Sequence, residues 1–209
     1  MKLENEFLQK NGILIYKIIL SVLSLIAIGY LIIPSFFSAT PLVNLGWTVS
    51  TYTFQSNFLV LLWITCEVIY IKKEEKPKFL SSIVHGAITL YITVTFVIFA
   101  LILQPLYGFE GMFEIGNMLY HYIIPILVIV EWVLTHKDEE YEKKMALYWL
   151  IYPFAFLFYA MIIELVTGHP IYFFISLGRY GALVILFVAL LTLMHYGLAM
   201  LIIYVNQRK

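Results

Sequence analysis

The amino-acid sequence predicts an all-α fold, a polytopic membrane protein built as a bundle of six transmembrane helices. Of its 209 residues, 62% are hydrophobic and only 12% are charged, whereas soluble domains average about 45–50% apolar and about 25% charged residues. This composition excludes an ordinary soluble enzyme and a disordered protein. The formal net charge is zero, so the chain has no basic field that would attract nucleic acid, and no nucleic-acid partner is expected.

Six apolar stretches have the length of a membrane helix, which needs roughly 20 mostly apolar residues. They run over Gly12–Ile33, Tyr52–Ile71, Leu80–Leu103, Ile115–Thr135, Met145–Val166 and Arg179–Val205. Together they fill most of the chain, which predicts a single transmembrane domain over residues 1–209. The last stretch is longer than a bilayer requires and is expected to tilt or protrude. The first is expected to be a retained helix, because no small-x-small cleavage site follows Pro34.

The positive charges predict the orientation of these helices. Twelve of the thirteen Lys and Arg residues lie in the N-terminal segment, the second-to-third connection, the fourth-to-fifth connection or the C-terminus. The remaining one is Arg179, at the start of the last stretch. The positive-inside rule therefore places both termini in the cytoplasm, and an even number of spans agrees with that. Turn residues such as Pro41, Asn44 and Gly46 predict loops on the outer side, where aromatic residues are typical of an interfacial belt.

Polar residues at membrane depth are costly and mark candidate sites. In the second span Thr53, Ser56 and Asn57 stand at i, i+3 and i+4, so that they share one helix face. In the fourth span Asn117 and His121 belong to a similar stripe, which begins at Glu114 and continues to Pro125. Both stripes start at the outer ends of their helices. They predict an outer polar layer.

The outer layer has the residue types of nucleophilic catalysis. A hydroxyl becomes a useful nucleophile when a base takes its proton, and histidine is the usual base near neutral pH. Thr53 and His121 would form such a pair if their helices touch, with Asn117 orienting the imidazole ring. Ser56 and Asn57 would then donate to a developing oxyanion. The structural alternative is that Thr53 caps its helix and that Asn57 and His121 are interhelical hydrogen-bond partners.

Other ionisable residues complete the polar inventory. Glu164 and Arg179 lie at the level of the outer layer and are expected to form an ion pair. A separate inner layer contains Glu67, His85, Glu131 and His195. No His-x-x-x-His or Glu-x-x-His pair shares a helix and no glycine-rich phosphate loop is present, so neither a metal site nor a cofactor is predicted.

Several segments resemble a family of bacterial six-transmembrane proteins, distant relatives of the androgen-induced and androgen-dependent TFPI-regulating membrane proteins of animals. The segments that carry the resemblance are Tyr52–Val60, Gly86–Thr95, His121–Pro125, Glu131-Trp132, Tyr152-Pro153 and Arg179–Gly181. The animal relatives are known as intramembrane threonine hydrolases of fatty acid esters of hydroxy fatty acids. The resemblance implies a fatty-acyl ester substrate among membrane lipids, with the catalytic threonine and histidine at Thr53 and His121. It also implies a multi-pass protein of the bacterial cell membrane.

Three functions therefore remain open. A hydrolase predicts Thr53 and His121 within hydrogen-bond reach beside a lipid-accessible cleft. A ligand-binding or transport protein without hydrolytic activity, for a small substrate or a lipid, predicts a continuous polar route that joins the outer and inner layers. A purely structural membrane subunit predicts that Thr53 faces lipid or is packed without a cavity. The oligomeric state is not predicted.

Overall fold

The computed structural model describes residues 2–71, 73, 75–107, 114–135 and 140–208, with side chains from Asn11 onward. The described part is mainly helical and contains no strand, and it contains six helical segments long and apolar enough to cross a membrane. These spans are Asn11–Phe36, Tyr52–Tyr70, Ser82–Leu106, Ile115–Thr135, Met145–Thr167 and Leu177–Gln207. The predicted six-helix membrane fold is confirmed, and the protein is an integral, multi-pass membrane protein.

The spans are assembled from long and short helices. The long helices are Lys2–Phe36, Tyr52–Tyr70, Ser82–Ile98, Ile124–Thr135, Ile151–Thr167 and Val184–Gln207. The short helices are Pro41–Ser50, Gln104–Tyr107, Ile115–Met118, Met145–Trp149 and Leu177–Tyr180. Two π-helical turns, Phe99–Leu103 and Leu119–Ile123, lie within the third and fourth spans. Short 3₁₀ turns occur at Lys78–Leu80, Phe173–Ile175 and Gly181–Leu183.

The first outer connection is mostly a helix, where the turn residues had predicted a loop. Pro41 is the first residue of the helix Pro41–Ser50, a position at which its fixed φ favours helix and its missing N–H costs nothing. The helix packs on the first span, with Ser35 and Thr48 hydroxyls 3.2 Å apart. Its Leu42 side chain is 83% exposed. Such an apolar surface at the end of a membrane span suits the lipid interface.

The fifth and sixth spans are interrupted, each for an identifiable reason. Pro153 has no N–H for the carbonyl of Trp149, and its ring would collide with that carbonyl, so the helix stops at Trp149 and restarts at Ile151. In the sixth span Gly181 has φ 52°, a conformation that favours glycine. The chain turns there, between the helix Leu177–Tyr180 and the helix Val184–Gln207.

The third span is the centre of the bundle. In its most apolar window 61% of the residues are buried, against 17% in the fifth and sixth spans, which turn most of their surface outward. Gly86 allows a close approach: a Cβ atom there would lie 2.7 Å from the ring of Trp149. Beside it, Tyr141 is fully buried, and its hydroxyl donates to the Ser82 carbonyl (2.8 Å) and accepts from Trp132 Nε1 (3.1 Å). These contacts fix the fourth-to-fifth connection against the central helix.

Candidate functional site

Thr53 and His121 are in contact. The Thr53 Oγ1 and His121 Nε2 atoms are 3.4 Å apart, at the outer ends of the second and fourth spans. Thr53 is not the cap of its helix, because Thr51 occupies that position and its hydroxyl accepts a hydrogen bond from the Phe54 N–H (3.1 Å). The Thr53 hydroxyl therefore has the imidazole as its neighbour in place of a capping bond. At 3.4 Å the contact is at the long end of hydrogen-bond distances.

The imidazole of His121 is held by an aromatic neighbour. It stacks on the ring of Phe99, with the centroids 3.6 Å apart and the planes 11° from parallel. Both residues belong to π-helical turns, Leu119–Ile123 and Phe99–Leu103. Turns of this kind are rare and occur frequently at functional sites. His121 is only 6% exposed, and its Nδ1 is buried without a hydrogen-bond partner.

Asn117 does not take the orienting role that was expected of it. Its carbonyl oxygen accepts from the Tyr120 hydroxyl (2.8 Å), and its amide donates to Glu114 (3.4 Å). The predicted stripe assumed a regular α-helix of 3.6 residues per turn. The π turn at Leu119–Ile123 changes that spacing, so that residues four apart no longer stand above one another. The His121 Nδ1 atom, which an orienting residue would bond, has no partner.

Asn57 and Ser56 support the pair, although as structural groups and not as free oxyanion donors. The Asn57 amide donates to the carbonyls of Thr53 (2.9 Å) and Tyr120 (3.1 Å). It thereby joins the first turn of the Thr53 helix to the residue before His121. The Ser56 hydroxyl lies 2.7 Å from the Thr95 hydroxyl and donates to the Thr53 carbonyl (3.2 Å). Both side chains are almost fully buried and fix the position of Thr53 relative to its neighbours.

Thr53 lines a cavity of about 80 Å³ between the second, third, fifth and sixth spans. Most of the lining is apolar, including Val94, Leu157, Phe174 and Leu191. The polar residues on its wall are Tyr52, Thr53, Thr95, Tyr172, Thr192 and His195. A mostly apolar wall with a few placed polar groups is typical of a small-molecule binding site.

Tyr172 is a residue of this site that the sequence did not single out from the outer aromatic residues. Its hydroxyl accepts hydrogen bonds from the backbone N–H of Tyr52 (3.0 Å) and of Thr53 (3.4 Å). The first N–H groups of a helix have no partner within the helix. Tyr172 thus satisfies two of them and connects the last outer connection to the start of the second span.

The expected ion pair between Glu164 and Arg179 does not form in the described structure. The Glu164 carboxylate accepts from the Ser176 hydroxyl (2.5 Å) and from the N–H groups of Leu177 (2.9 Å) and Gly178 (3.1 Å). A carboxylate at the start of a helix satisfies its free N–H groups and interacts favourably with the helix dipole. The Arg179 guanidinium lies over the ring of Tyr180, 5.6 Å from its centroid.

The inner layer is an ionic cluster whose central residue is Lys17. The Lys17 Nζ atom is 2.8 Å from Glu67 and 3.1 Å from Glu131. Glu131 also contacts the His85 Nε2 atom at 2.7 Å, and Lys76 reaches Glu67 at 3.3 Å. Sequence analysis had counted Lys17 among the cytoplasmic charges, although it lies within the first apolar stretch. His195, assigned to the same layer, lies apart from this cluster on the cavity wall.

An apolar layer separates the two polar layers. On the second span Asn57 and Glu67 are separated by Val60 and Ile64, both almost fully buried. The fourth span repeats the same spacing, with Ile124 and Val128 between His121 and Glu131. The third span repeats it with Ile88 and Ile92 between His85 and Thr95. Ten residues of helix span about 15 Å. Buried apolar side chains therefore lie between the layers on one face of each of these helices. The third span also carries Thr89 and Thr93 at this depth, and their hydroxyls donate to carbonyls of their own helix.

Comparisons of the chain with protein-family models, with curated proteins and with solved structures find no match.

Proposed function

We propose that this membrane protein is an intramembrane hydrolase of lipid or fatty-acyl esters, with Thr53 as the nucleophile and His121 as the general base. The observation that carries the proposal is the Thr53 Oγ1–His121 Nε2 contact of 3.4 Å beside an apolar cavity. A hydroxyl and a base in hydrogen-bond reach are the signature of an activated nucleophile. The Tyr52–Val60 and His121–Pro125 segments resemble bacterial six-transmembrane proteins, distant relatives of animal membrane threonine hydrolases, and this resemblance supports the same roles.

The reaction follows from the two side chains. The Thr53 hydroxyl attacks the ester carbonyl carbon and gives its proton to the His121 Nε2 atom. The tetrahedral intermediate then expels the alcohol, which takes that proton from the imidazolium and leaves an acyl group on Thr53. Water attacks the acyl ester by the same route, with His121 again accepting and returning a proton, and the carboxylic acid is released.

The surroundings of Thr53 supply positioning and charge stabilisation in this scheme. Thr53 is in the first turn of the helix Tyr52–Tyr70, where the helix dipole favours negative charge. The backbone N–H groups of Tyr52 and Thr53 point to this end, and in the absence of substrate the Tyr172 hydroxyl occupies them. Donors of this kind stabilise a developing oxyanion. Asn57 positions the Thr53 backbone through its hydrogen bonds, and Phe99 positions the His121 ring by stacking on it.

The cavity defines the class of substrate. Its apolar wall suits an acyl chain, and its position near the outer end of the spans suits entry from a lipid leaflet. With basic connections on the other side, we place this site at the outer leaflet of a cell membrane. The reaction requires no metal ion or cofactor in this scheme.

The proposal is tested by labelling the purified protein with a fluorophosphonate probe, which reacts with activated hydroxyl groups. We expect labelling of the wild type and of Thr53→Ser, and loss of labelling in Thr53→Ala and His121→Ala. Thr192→Val is the matched control, because Thr192 lines the same cavity but its hydroxyl donates to the Val188 carbonyl (2.8 Å). Mass spectrometry of the labelled peptide identifies the modified residue.

A folded wild type that is never labelled, or one still labelled after Thr53→Ala, would contradict the hydrolase. The alternative is a protein that binds a small or lipidic ligand in the same cavity without cleaving it. Binding is favoured over transport, because buried apolar side chains separate the two polar layers, and the Thr89 and Thr93 hydroxyls between them are bonded to their own helix.

A further inference from the structure

The inner wall of the cavity carries a buried hydrogen-bond acceptor without a partner. The Nδ1 atom of His195 lies 2.7 Å from the Leu191 carbonyl oxygen, which can only accept, so Nδ1 carries the proton. The neutral ring then presents a bare Nε2 lone pair. That atom is buried, has no partner in the structure, and belongs to a residue that is 6% exposed and lines the cavity.

A second buried polar atom without a partner belongs to another residue of the same cavity wall. The Tyr52 hydroxyl has no hydrogen-bond partner, and the residue is 8% exposed on the same cavity wall. Its ring is 6.3 Å from that of His195 and is fixed by Phe156, whose ring centroid is 5.0 Å away. Buried polar groups are nearly always hydrogen-bonded, so two such atoms on one cavity wall point to a missing partner.

We propose that the cavity binds an amphiphile with a free hydroxyl group, which donates to the His195 Nε2 atom and accepts from the Tyr52 hydroxyl. An ether or ester oxygen can only accept and would leave Nε2 unpaired, whereas a hydroxyl satisfies both atoms. The inference rests on the proposed function in that the same cavity receives the substrate. The inference adds that the substrate has a free hydroxyl group in addition to its ester bond, on either the acyl chain or the alcohol.

Binding of 1-hexanol and of n-hexane, which lacks only the hydroxyl, tests this inference. The protein is labelled with ¹⁵N-histidine in detergent micelles, and His195→Gln assigns the Nε2 resonance of His195. We expect hexanol to move that resonance in the direction of an accepted hydrogen bond, and hexane to leave it unchanged. Neither probe contains an ester, so the result does not depend on whether Thr53 is reactive.

Two variants separate the hydroxyl contact from general apolar binding. Tyr52→Phe keeps the ring and removes the donor, and we expect it to weaken hexanol binding by about 2- to 10-fold, the value of one hydrogen bond. Tyr196→Phe is the matched control, because Tyr196 is 40% exposed and lies outside the cavity lining, and it should leave the affinity unchanged. Equal affinity of the wild type and Tyr52→Phe would overturn the proposal. So would a resonance that is already hydrogen-bonded without ligand and insensitive to hexanol, which would identify bound water as the partner.

Discussion

Removal of the Lys17 amine by Lys17→Met is the sharpest perturbation of the inner ionic cluster. Methionine keeps most of the length of the lysine side chain, is apolar and favours helix. In the native protein the amine contacts Glu67 at 2.8 Å and Glu131 at 3.1 Å, and its side chain is 6% exposed. The variant therefore deletes one charge from the centre of a buried network while leaving the packing of the first and second spans largely intact.

The expected loss of stability depends on which basic partners Glu67 and Glu131 keep in the variant. Glu67 keeps Lys76 at 3.3 Å, but among the described residues Glu131, which is 1% exposed, keeps only His85 as a basic partner. Breaking a buried ion pair by removing one partner costs about 3–5 kcal/mol, because the other charge is left buried and uncompensated. We expect Lys17→Met to lower the free energy of unfolding by about that amount.

The double variant Lys17→Met/Glu131→Leu tests the origin of the loss. It removes one positive and one negative charge and leaves Glu67 paired with Lys76. Replacing both members of a buried pair by apolar residues is often neutral or stabilising. We therefore expect the double variant to be more stable than Lys17→Met alone, so that the two effects are strongly non-additive.

Unfolding of the purified protein in mixed micelles, followed by circular dichroism over a series of SDS fractions, measures these differences. Lys144→Met is the matched control, because Lys144 contacts Glu142 at 2.7 Å but both side chains are 60% exposed. Exposed pairs contribute little, so no change is expected there. A Lys17→Met protein that unfolds within about 0.5 kcal/mol of the wild type would refute the reasoning, since that is the range of surface substitutions.

Two further stability predictions can be checked in the same assay. Gly86→Ala places a Cβ atom 2.7 Å from the Trp149 ring and should destabilise the protein by about 1–3 kcal/mol, the usual cost of overpacking. Gly197 is a helical glycine with nothing within 4 Å of an added Cβ atom, so Gly197→Ala should be neutral or slightly stabilising. Equal destabilisation by Gly86→Ala and Gly197→Ala would contradict the close approach of Gly86 to Trp149. Tyr141→Phe removes a hydroxyl bonded to Ser82 and should cost about 1–3 kcal/mol. An unchanged unfolding midpoint would show that this buried hydroxyl contributes nothing.

Hydropathy predicts the number of spans and their approximate ends, because lipid selects long apolar runs regardless of how the helices pack. Local chemistry decides the details that were not predicted. Pro153 interrupts the fifth span, and Gly181 allows the chain to turn at the start of the sixth span. Both residue types are known to interrupt helices. Pro41 was interpreted as part of a turn, although at the first position of a helix it acts as an initiator.

For the candidate site, the sequence predicts which residues share a helix face. Polar stripes brought Thr53 and His121 into consideration, and the structure places them in contact. The expected partnership of Glu164 with Arg179 depended on sequence position alone, which does not reveal that helix N–H groups compete for the carboxylate. Lys17 was missed because a lysine near the start of an apolar run also fits a topology signal.

A repeated spacing in the sequence indicates the two polar layers. The second, third and fourth spans share the spacing of a polar residue, apolar residues three and seven positions later, and a second polar residue at position ten. On the second span these residues are Asn57, Val60, Ile64 and Glu67. A common spacing on three packed helices indicates layers at common depths, which is what the structure contains.

The two π turns affect how this chain aligns with any similar sequence that lacks them. A π turn arises where one residue is inserted into an α-helix, and the helix absorbs it as a local bulge. A relative without the insertion in Leu119–Ile123 would need a one-residue gap inside a membrane span before its histidine is aligned with His121. Alignment procedures that forbid gaps in such spans would pair His121 with a neighbouring residue. Searches for this site should therefore allow a single-residue deletion in the third and fourth spans.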